Sequence, residues 1–282
     1  MADVAFIGTG LLGSAMVEGM LKRGDSVTVW NRTESKARAL EAAGARVAAS
    51  PGDAVAGAER VHMTLPDDAV VNDIGEGIAA RLRRDAIVID HSTTSPRGAK
   101  SRIARAQKGG IKFIHAPVFM SPQMARDAVG LMLVSGPKDV YEAVAEPLAR
   151  MTGEVWYVGE DGDRAAAYKL FGNSMIFVIT AGVADVFAMG KGLGIAPDDA
   201  LAVFSKFQPG GAIKGRGAKM ASRDFSASFE LTMARKDLRL MIEAAGDQPL
   251  AVLPGIATRM DDAIAKGHGK DDLAAIGAEV VQ

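Results

Sequence analysis

The stretch from Val4 to Trp30 constrains the fold of this chain more than any other. Val4-Ala5-Phe6-Ile7 reads as a short apolar strand, Gly8-Thr9-Gly10-Leu11-Leu12-Gly13 follows at once, and a helical segment then leads to a second strand, Ser26-Val27-Thr28-Val29-Trp30. The three glycines differ in what they permit. Gly8 allows the tight strand-to-helix turn, Gly10 lets backbone come close to a pyrophosphate, and Gly13 lets the helix pack against the strand. The unpaired N–H groups at the helix start face the same point and favour anions. A bare Gly-x-Gly-x-x-Gly also occurs in loops that only need a positive φ. Here a strand before it, a helix after it and a second strand at the right distance predict a dinucleotide site.

The residue closing the second strand indicates which dinucleotide. A carboxylate there binds the ribose 2′-hydroxyl of NAD, but this chain has Asn31-Arg32-Thr33. A carboxylate would repel a 2′-phosphate, whereas the planar guanidinium of Arg32 makes paired hydrogen bonds to one. Thr33 adds a hydroxyl, and Lys36 lies one turn into the next helix. A plainer reading makes Thr33 a helix N-cap before Glu34 and leaves Arg32 solvated. The two are compatible, and NADP (as NADPH) is the expected cofactor.

With 282 residues the chain is long enough for two domains. A formal net charge of −1 offers no broad basic field, so neither nucleic acid nor a membrane surface is an expected partner. Cysteine is absent, which excludes disulfides, thiol catalysis and cysteine metal sites and suits a reducing cytoplasm. The first strand is expected to begin within a few residues of Met1, so no signal peptide is expected. No uncharged apolar run is expected to approach the ~18 residues that span a bilayer. Metal use is not expected, because no His, Asp or Glu cluster has ligand spacing.

Strands and helices alternate through the first part of the chain. A helix from about Glu34 ends at Gly44, Ser50-Pro51 and Ser95-Pro96 are cap-plus-proline helix starts, and strands are expected at 60–65, 86–90, 111–114, 131–134 and 155–158. Such alternation predicts a mostly parallel, helix-covered sheet. From Asp163 to about Lys191 there is no proline, and apolar residues recur at helical spacing on most faces, so this helix is expected to be buried between domains or subunits. The remainder reads as helices broken by glycine and proline. The expected fold is α/β: a Rossmann domain over 1–160, a long linking helix over 163–191, and an all-helical substrate or oligomerisation domain over 161–282.

Few groups are available for proton transfer. His62 lies within a strand and reads as packed, His268 lies in a glycine-rich loop, and His91 and His115 stand near strand ends. Lys169 and Asn173 are four apart and share one face of the long helix. Burial beside a positively charged nicotinamide would lower the pKa of such a lysine toward the working range of a general acid or base. The alternative is a lysine that snorkels to the surface while Asn173 solvates a carbonyl.

Taken together, Gly8 to Gly13, Asp90-His91-Ser92-Thr93, Ala116-Pro117-Val118, Gly162 with Lys169 and Asn173, Lys236-Asp237-Leu238 and Gly267 to Asp272 are specific. From end to end the chain resembles the β-hydroxyacid dehydrogenase family, which includes 3-hydroxyisobutyrate dehydrogenases, tartronate semialdehyde reductases and NADPH-dependent glyoxylate or succinic semialdehyde reductases. The resemblance implies that Lys169 is the catalytic acid/base and that Asn173 orients the substrate. It implies that Leu65, Pro66 and Thr93 border the nicotinamide and its ribose and that Lys236 closes over the cofactor. A homodimer or homotetramer is common in the family.

One segment departs from the family pattern. The substrate loop that usually reads Asp-Ala-Pro-Val-Ser-Gly-Gly is here His115-Ala116-Pro117-Val118-Phe119-Met120-Ser121-Pro122-Gln123. Phe119 and Met120 offer apolar bulk, Pro122 has no N–H, and Ser121 and Gln123 keep some hydrogen-bonding capacity. With Ser92, these residues are the expected substrate contacts. They suggest a small-molecule substrate larger or less acidic than glyoxylate, held partly by apolar contact. The expected activity is NADPH-dependent interconversion of an aldehyde or ketone, carboxylate-bearing or polar, and its hydroxy form. The alternatives are imine reduction, against which the lysine counts, and a cofactor-binding scaffold without turnover.

Overall fold

In the computed structural model, which describes residues 3–281, the chain divides into two compact units that meet inside one helix, between Asn173 and Ser174. The first unit starts β1 (Asp3–Ile7), α1 (Leu11–Lys22), β2 (Ser26–Trp30), α2 (Glu34–Arg38), β3 (Arg46–Val47) and α3 (Pro51–Val55). It continues with β4 (Arg60–Met63), α4 (Asp68–Ile78), β5 (Ile87–Asp90), α5 (Pro96–Lys108), β6 (Lys112–His115), β7 (Val118–Phe119) and α6 (Pro122–Arg126). It closes with β8 (Gly130–Ser135), α7 (Lys138–Glu142), α8 (Ala145–Thr152), β9 (Gly153–Gly159) and the first turns of α9 (Arg164–Leu193).

The strands form one sheet in the order β3-β2-β1-β4-β5-β6-β8-β7, with β9 also pairing to β8. Pairing is parallel from β3 to β6, and β8 runs antiparallel to β6 and β7. Both faces are covered. Along β1, Val4 and Phe6 enter one core cluster with Met16, Met20 and Val29, while Ala5 and Ile7 enter another with Val61, Met63, Val71 and Ile78. A strand buried on both sides reads as a continuous apolar run rather than an alternating one, as Val4 to Ile7 does.

The helix starts form where capping chemistry places them. Ser50 accepts from the Asp53 N–H at 3.1 Å and Ser95 from the Gly98 N–H at 3.1 Å, each with proline in the first turn. Thr33 differs: it precedes α2 but makes no side-chain cap. The helix expected to run to Gly44 stops at Arg38, a short 3-10 turn follows, and Gly44 ends it with φ +100°. The two-residue strands β3 and β7 were too short for any periodic signal.

The second unit contains the rest of α9 with α10 (Pro197–Ala202), α11 (Gly211–Ser222), α12 (Leu231–Ala245) and α13 (Leu253–Ala265). Leu231, Ala234 and Leu238 of α12 pack against Ala257, Met260 and Ala263 of α13. Two buried carboxylates tie this unit together. Asp185 of α9 accepts from the N–H groups of Ala251, Val252 and Leu253 at the start of α13, and Asp272 accepts from Ser228, Phe229 and Ala274. Desolvation pushes both carboxyls up, but the donated hydrogen bonds outweigh it and hold both below the ordinary carboxylate range.

Helix α9 differs from expectation in two respects. Placing the domain boundary at 160/161 leaves the whole helix to the second unit, yet its first ten residues belong with the sheet, because Ala165 and Ala166 are buried there. The helix is also long and apolar enough to cross a membrane by length and composition alone, which corrects the expectation that no segment approaches that length. Its middle is open in the single chain, with Ile176, Phe177, Val178 and Ile179 between 50% and 69% exposed. Its flanks are not available to lipid: Ala165 and Ala166 are buried in the first unit, and Asp185 in the second.

Candidate active site

The C-terminal ends of β1, β2, β4 and β5 open onto a cleft of about 660 Å³ in the first unit. Gly8 stands at the turn with φ +95°, its N–H bonded to the Trp30 carbonyl at 2.9 Å. A Cβ on Gly8 would lie under 3.0 Å from the Thr64 carbonyl oxygen, and one on Gly13 under 3.0 Å from the Gly8 carbonyl oxygen and the Thr64 hydroxyl. These two glycines are therefore fixed by packing. Gly10 is different: a Cβ there meets nothing within 4 Å, since its face is open to the cleft. Leu11, the next residue, is 86% exposed.

Thr9 is buried and reaches the site through its backbone, its N–H donating to Asn31 Oδ1 at 3.0 Å. The Asn31 amide in turn donates to the Thr33 carbonyl at 2.8 Å. Asn31 thus braces the glycine turn against the next loop, a role that spacing alone does not reveal. Arg32, Thr33 and Lys36 are exposed on the cleft wall, and among the described residues neither cation has an ion pair.

These features fit a dinucleotide diphosphate. The glycine turn leaves room for close approach, α1 presents N–H groups that no helix carbonyl can reach, and two unpaired cations stand beyond the end of β2. Gly8, Gly10, Leu11, Leu12, Gly13, Asn31, Arg32, Thr33, Lys36, Leu65, Pro66, Ser92 and Thr93, picked from the sequence, all line this one cleft. Trp30, Thr64, Val70, Asp73 and Ile74 line it too and were missed, and so does His91, which the sequence offered only as a group near a strand end. For Val70 and Ile74 a signal existed, since residues four apart on a helix capped by Asp67 share one face. A second cavity of about 200 Å³ between α4 and α5 is mostly apolar, and the polar residues on its lining, Asn72, Glu76, Arg102 and Arg105, include groups already paired with one another.

A buried polar network supports the far side of the cleft. Ser92 donates its N–H to Asp90 Oδ1 at 2.9 Å and accepts the Leu65 N–H on its hydroxyl at 2.8 Å. His91 Nδ1 lies 2.7 Å from the Ala116 carbonyl, and His91 Nε2 lies 2.9 Å from His62 Nδ1. Burial pushes His91 down to about 4 and His62 well below the usual histidine range. Both rings are therefore neutral near pH 7. A carbonyl can only accept, so His91 carries its proton on Nδ1, and His62 donates from Nδ1 to His91 Nε2. His91 thereby holds Ala116, three residues before Phe119.

Phe119 leads to the other candidates. Lys169 Nζ sits 4.2 Å from the centre of the Phe119 ring. Burial lowers the pKa of this half-buried lysine from the ordinary lysine value, with no acidic partner to oppose the shift. Asn173 is half-buried one turn further along α9. Met120 packs on the core below the sheet, Ser121 accepts the Met124 N–H as the cap of α6, and Gln123 donates to Asp127 at 2.9 Å. Lys236 belongs to the second unit, on α12, where its ammonium is exposed and pairs with Asp237 at 2.8 Å.

The sequence pattern of the NAD binding domain of 6-phosphogluconate dehydrogenase matches residues 3–159, and that of the NAD-binding domain of NADP-dependent 3-hydroxyisobutyrate dehydrogenase matches residues 164–278. The chain belongs to the β-hydroxyacid dehydrogenase family. Members of this family are NAD(P)-dependent oxidoreductases, and the chain is an enzyme of that class. It is 30% identical to the 3-sulfolactaldehyde reductase of Escherichia coli (strain K12), over 99% of this chain and 96% of that protein. It is 28% identical to the chloroplastic glyoxylate/succinic semialdehyde reductase 2 of Arabidopsis thaliana, over 96% of this chain and 76% of that protein. The imine reductase of Myxococcus stipitatus in complex with NADP+ shares the fold, with a TM-score of 0.89 at 22% identity over 97% of this chain and 98% of that one.

Proposed function

We propose that this protein is an NADPH-dependent reductase that converts an aldehyde or ketone with a carboxylate or other polar handle to its hydroxy form, with Lys169 as the general acid. The observation that carries this reading is the desolvated Lys169 ammonium, joined to the edge of the cofactor cleft through Phe119, Ala116 and His91. Reduced nicotinamide, when bound, supplies the hydride. The protein supplies the proton. Lys169 donates from Nζ to the carbonyl oxygen as negative charge develops there, and its lowered pKa makes that donation easier than from a solvated lysine. Asn173, one turn away, orients the oxygen or the ammonium. Ser92 lines the cleft, its hydroxyl accepting from Leu65 and, against the upward push of burial, its hydrogen bonds to Asp90 helping to hold that carboxyl low.

NADP rather than NAD is favoured by Arg32 and Lys36, two exposed cations without ion pairs among the described residues, beside Thr33 and with no carboxylate at the end of β2. Roles for Leu65, Pro66 and Thr93 at the nicotinamide, and for Lys236 as a closing residue, rest on the family resemblance. A second copy of the chain is the proposed cover for the exposed apolar middle of α9, in a homodimer or homotetramer. A cytoplasmic location is proposed from the absence of cysteine.

The test is NADPH oxidation across aldehyde acids, neutral aldehydes, ketones and cyclic imines, with wild type and Lys169→Ala. Carbonyl turnover that falls at least ~100-fold in the variant while NADPH still binds is the expected result. Turnover confined to imines, or a fully active variant, refutes it.

A further inference from the structure

Two loops line the far end of the cofactor cleft, Leu65-Pro66 after β4 and His91-Ser92-Thr93 after β5. A buried cation ties them together. Asp68 opens α4 just beyond Pro66-Asp67, and its carboxylate reaches across to α5, accepting the Ser95 N–H at 2.9 Å and an Arg102 Nη1–H at 2.6 Å. Gly98 makes the reach possible, since a Cβ there would lie under 3.0 Å from Asp68 Oδ1 and from its carboxyl carbon. Gly98 and Arg102 stand four apart on one face of α5. The same guanidinium donates from Nη2 to the Thr94 hydroxyl at 2.5 Å, and its Nε faces Asp90 Oδ2 at 3.8 Å.

Arg102 is only 5% exposed, and burying a cation is costly. Apolar residues of similar volume often hold a core as well as a buried ion pair does, so stability does not explain the choice. Its geometry does. A guanidinium is planar and its donors are fixed in one fork, so acceptors from α4, from the end of β5 and from the loop after β5 meet it in one arrangement. That loop is then held on both sides of Thr93: the Ser92 hydroxyl takes the Leu65 N–H at 2.8 Å, and the Thr94 hydroxyl takes Arg102. Arg105 also bridges the two helices, to Asn72 at 2.7 Å and Glu76 at 3.7 Å, but that bridge is solvated and lies outside both loops.

We propose that Arg102, acting through Asp68 and Thr94, is a positioning residue: it locks α4 to α5 and so holds both loops in the arrangement that receives the nicotinamide half of the cofactor. The adenosine half, assigned to Gly8 to Gly13 and Arg32 to Lys36, does not depend on it. The proposal rests on the reductase reading above, which assigns the nicotinamide to Leu65, Pro66 and Thr93, and deepens it by naming what fixes those residues.

The test titrates the full-length protein calorimetrically with NADPH and with adenosine 2′,5′-bisphosphate, which carries the 2′-phosphate but no nicotinamide. Loops that spend only about a tenth of their time in the receiving arrangement weaken NADPH about tenfold. Arg102→Met shows that loss while the bisphosphate binds as in wild type, and Arg102→Lys, which can still pair with Asp68, recovers part of it. Thr94→Val keeps the shape and the Asp68 pair, so it folds and gives a smaller loss of the same kind. Arg105→Met cuts the solvated bridge and leaves both ligands unchanged. Hydrogen exchange without nucleotide supplies a second readout: residues 64–68 and 91–95 exchange faster in Arg102→Met and Thr94→Val, and the glycine turn does not. Equal weakening of both ligands, unchanged NADPH binding in both folded variants, or loops that exchange no faster overturns the proposal. Wild type that binds neither nucleotide sinks the reductase reading, and loop exchange alone then decides the lock.

Discussion

Replacing Gly10 and Gly13 separately by alanine separates the contribution of the glycine turn to folding from its contribution to binding. At Gly13 the added methyl lies under 3.0 Å from the Gly8 carbonyl oxygen and the Thr64 hydroxyl. Neither can withdraw easily: the Gly8 N–H is tied to Trp30, the Thr64 N–H to Ile7, and the Thr64 hydroxyl donates to the Gly8 carbonyl at 2.6 Å. The start of α1 must move outward instead. Overpacking of that kind costs about 1–3 kcal/mol, and losing the Thr64 hydrogen bond adds about 1 kcal/mol. The expected loss for Gly13→Ala without cofactor is therefore about 2–4 kcal/mol. At Gly10 the methyl meets nothing within 4 Å and φ is −71°, which alanine adopts freely. Gly10→Ala should change stability by less than about 0.5 kcal/mol but weaken NADPH binding by about 10- to 100-fold, since the methyl stands where the pyrophosphate approaches. Urea unfolding followed by tryptophan fluorescence is the assay, because both tryptophans, Trp30 and Trp156, lie on strands of the sheet. Equal destabilisation by the two substitutions, or unimpaired NADPH binding by Gly10→Ala, would refute the reasoning.

Other predictions concern charge and association. Lys169 must be protonated to donate, and burial sets its pKa below the ordinary lysine value of 10.5. The kcat for reduction should therefore be flat at neutral pH and fall on an alkaline limb below pH 10.5, and a profile still flat at that pH argues against Lys169 as the acid. Arg32→Asp should weaken NADPH by about 10- to 100-fold, the scale of lost charge-assisted hydrogen bonds, while NADH improves. Equal losses for both cofactors would mean that Arg32 does not read the 2′-phosphate. Analytical ultracentrifugation should give at least twice the chain mass, and Phe177→Asp should lower it by placing a charge on the exposed face of α9. A wild-type monomer would leave that face without its proposed cover.

Local sequence marked out the half of the site proposed to hold the cofactor. The residues proposed for it fall in two contiguous runs, from Gly8 to Gly13 and from Arg32 to Lys36, and are candidates through backbone geometry or charge that residue type specifies. The same holds for the caps at Ser50 and Ser95 and for β1, whose unbroken apolar run already implied cover on both faces. Tertiary structure decided what depends on partners far along the chain. Asn31 braces Thr9 across 22 residues, and His91 becomes a neutral donor because β4 and the Ala116 carbonyl enclose it. Phe119 meets Lys169 only because β7 lies against the first turns of α9, where Gly172 lacks the side chain that would exclude the ring. Periodicity can say that a lysine lies on a helix, but its pKa and its neighbour are set by burial, which depends on how distant segments pack.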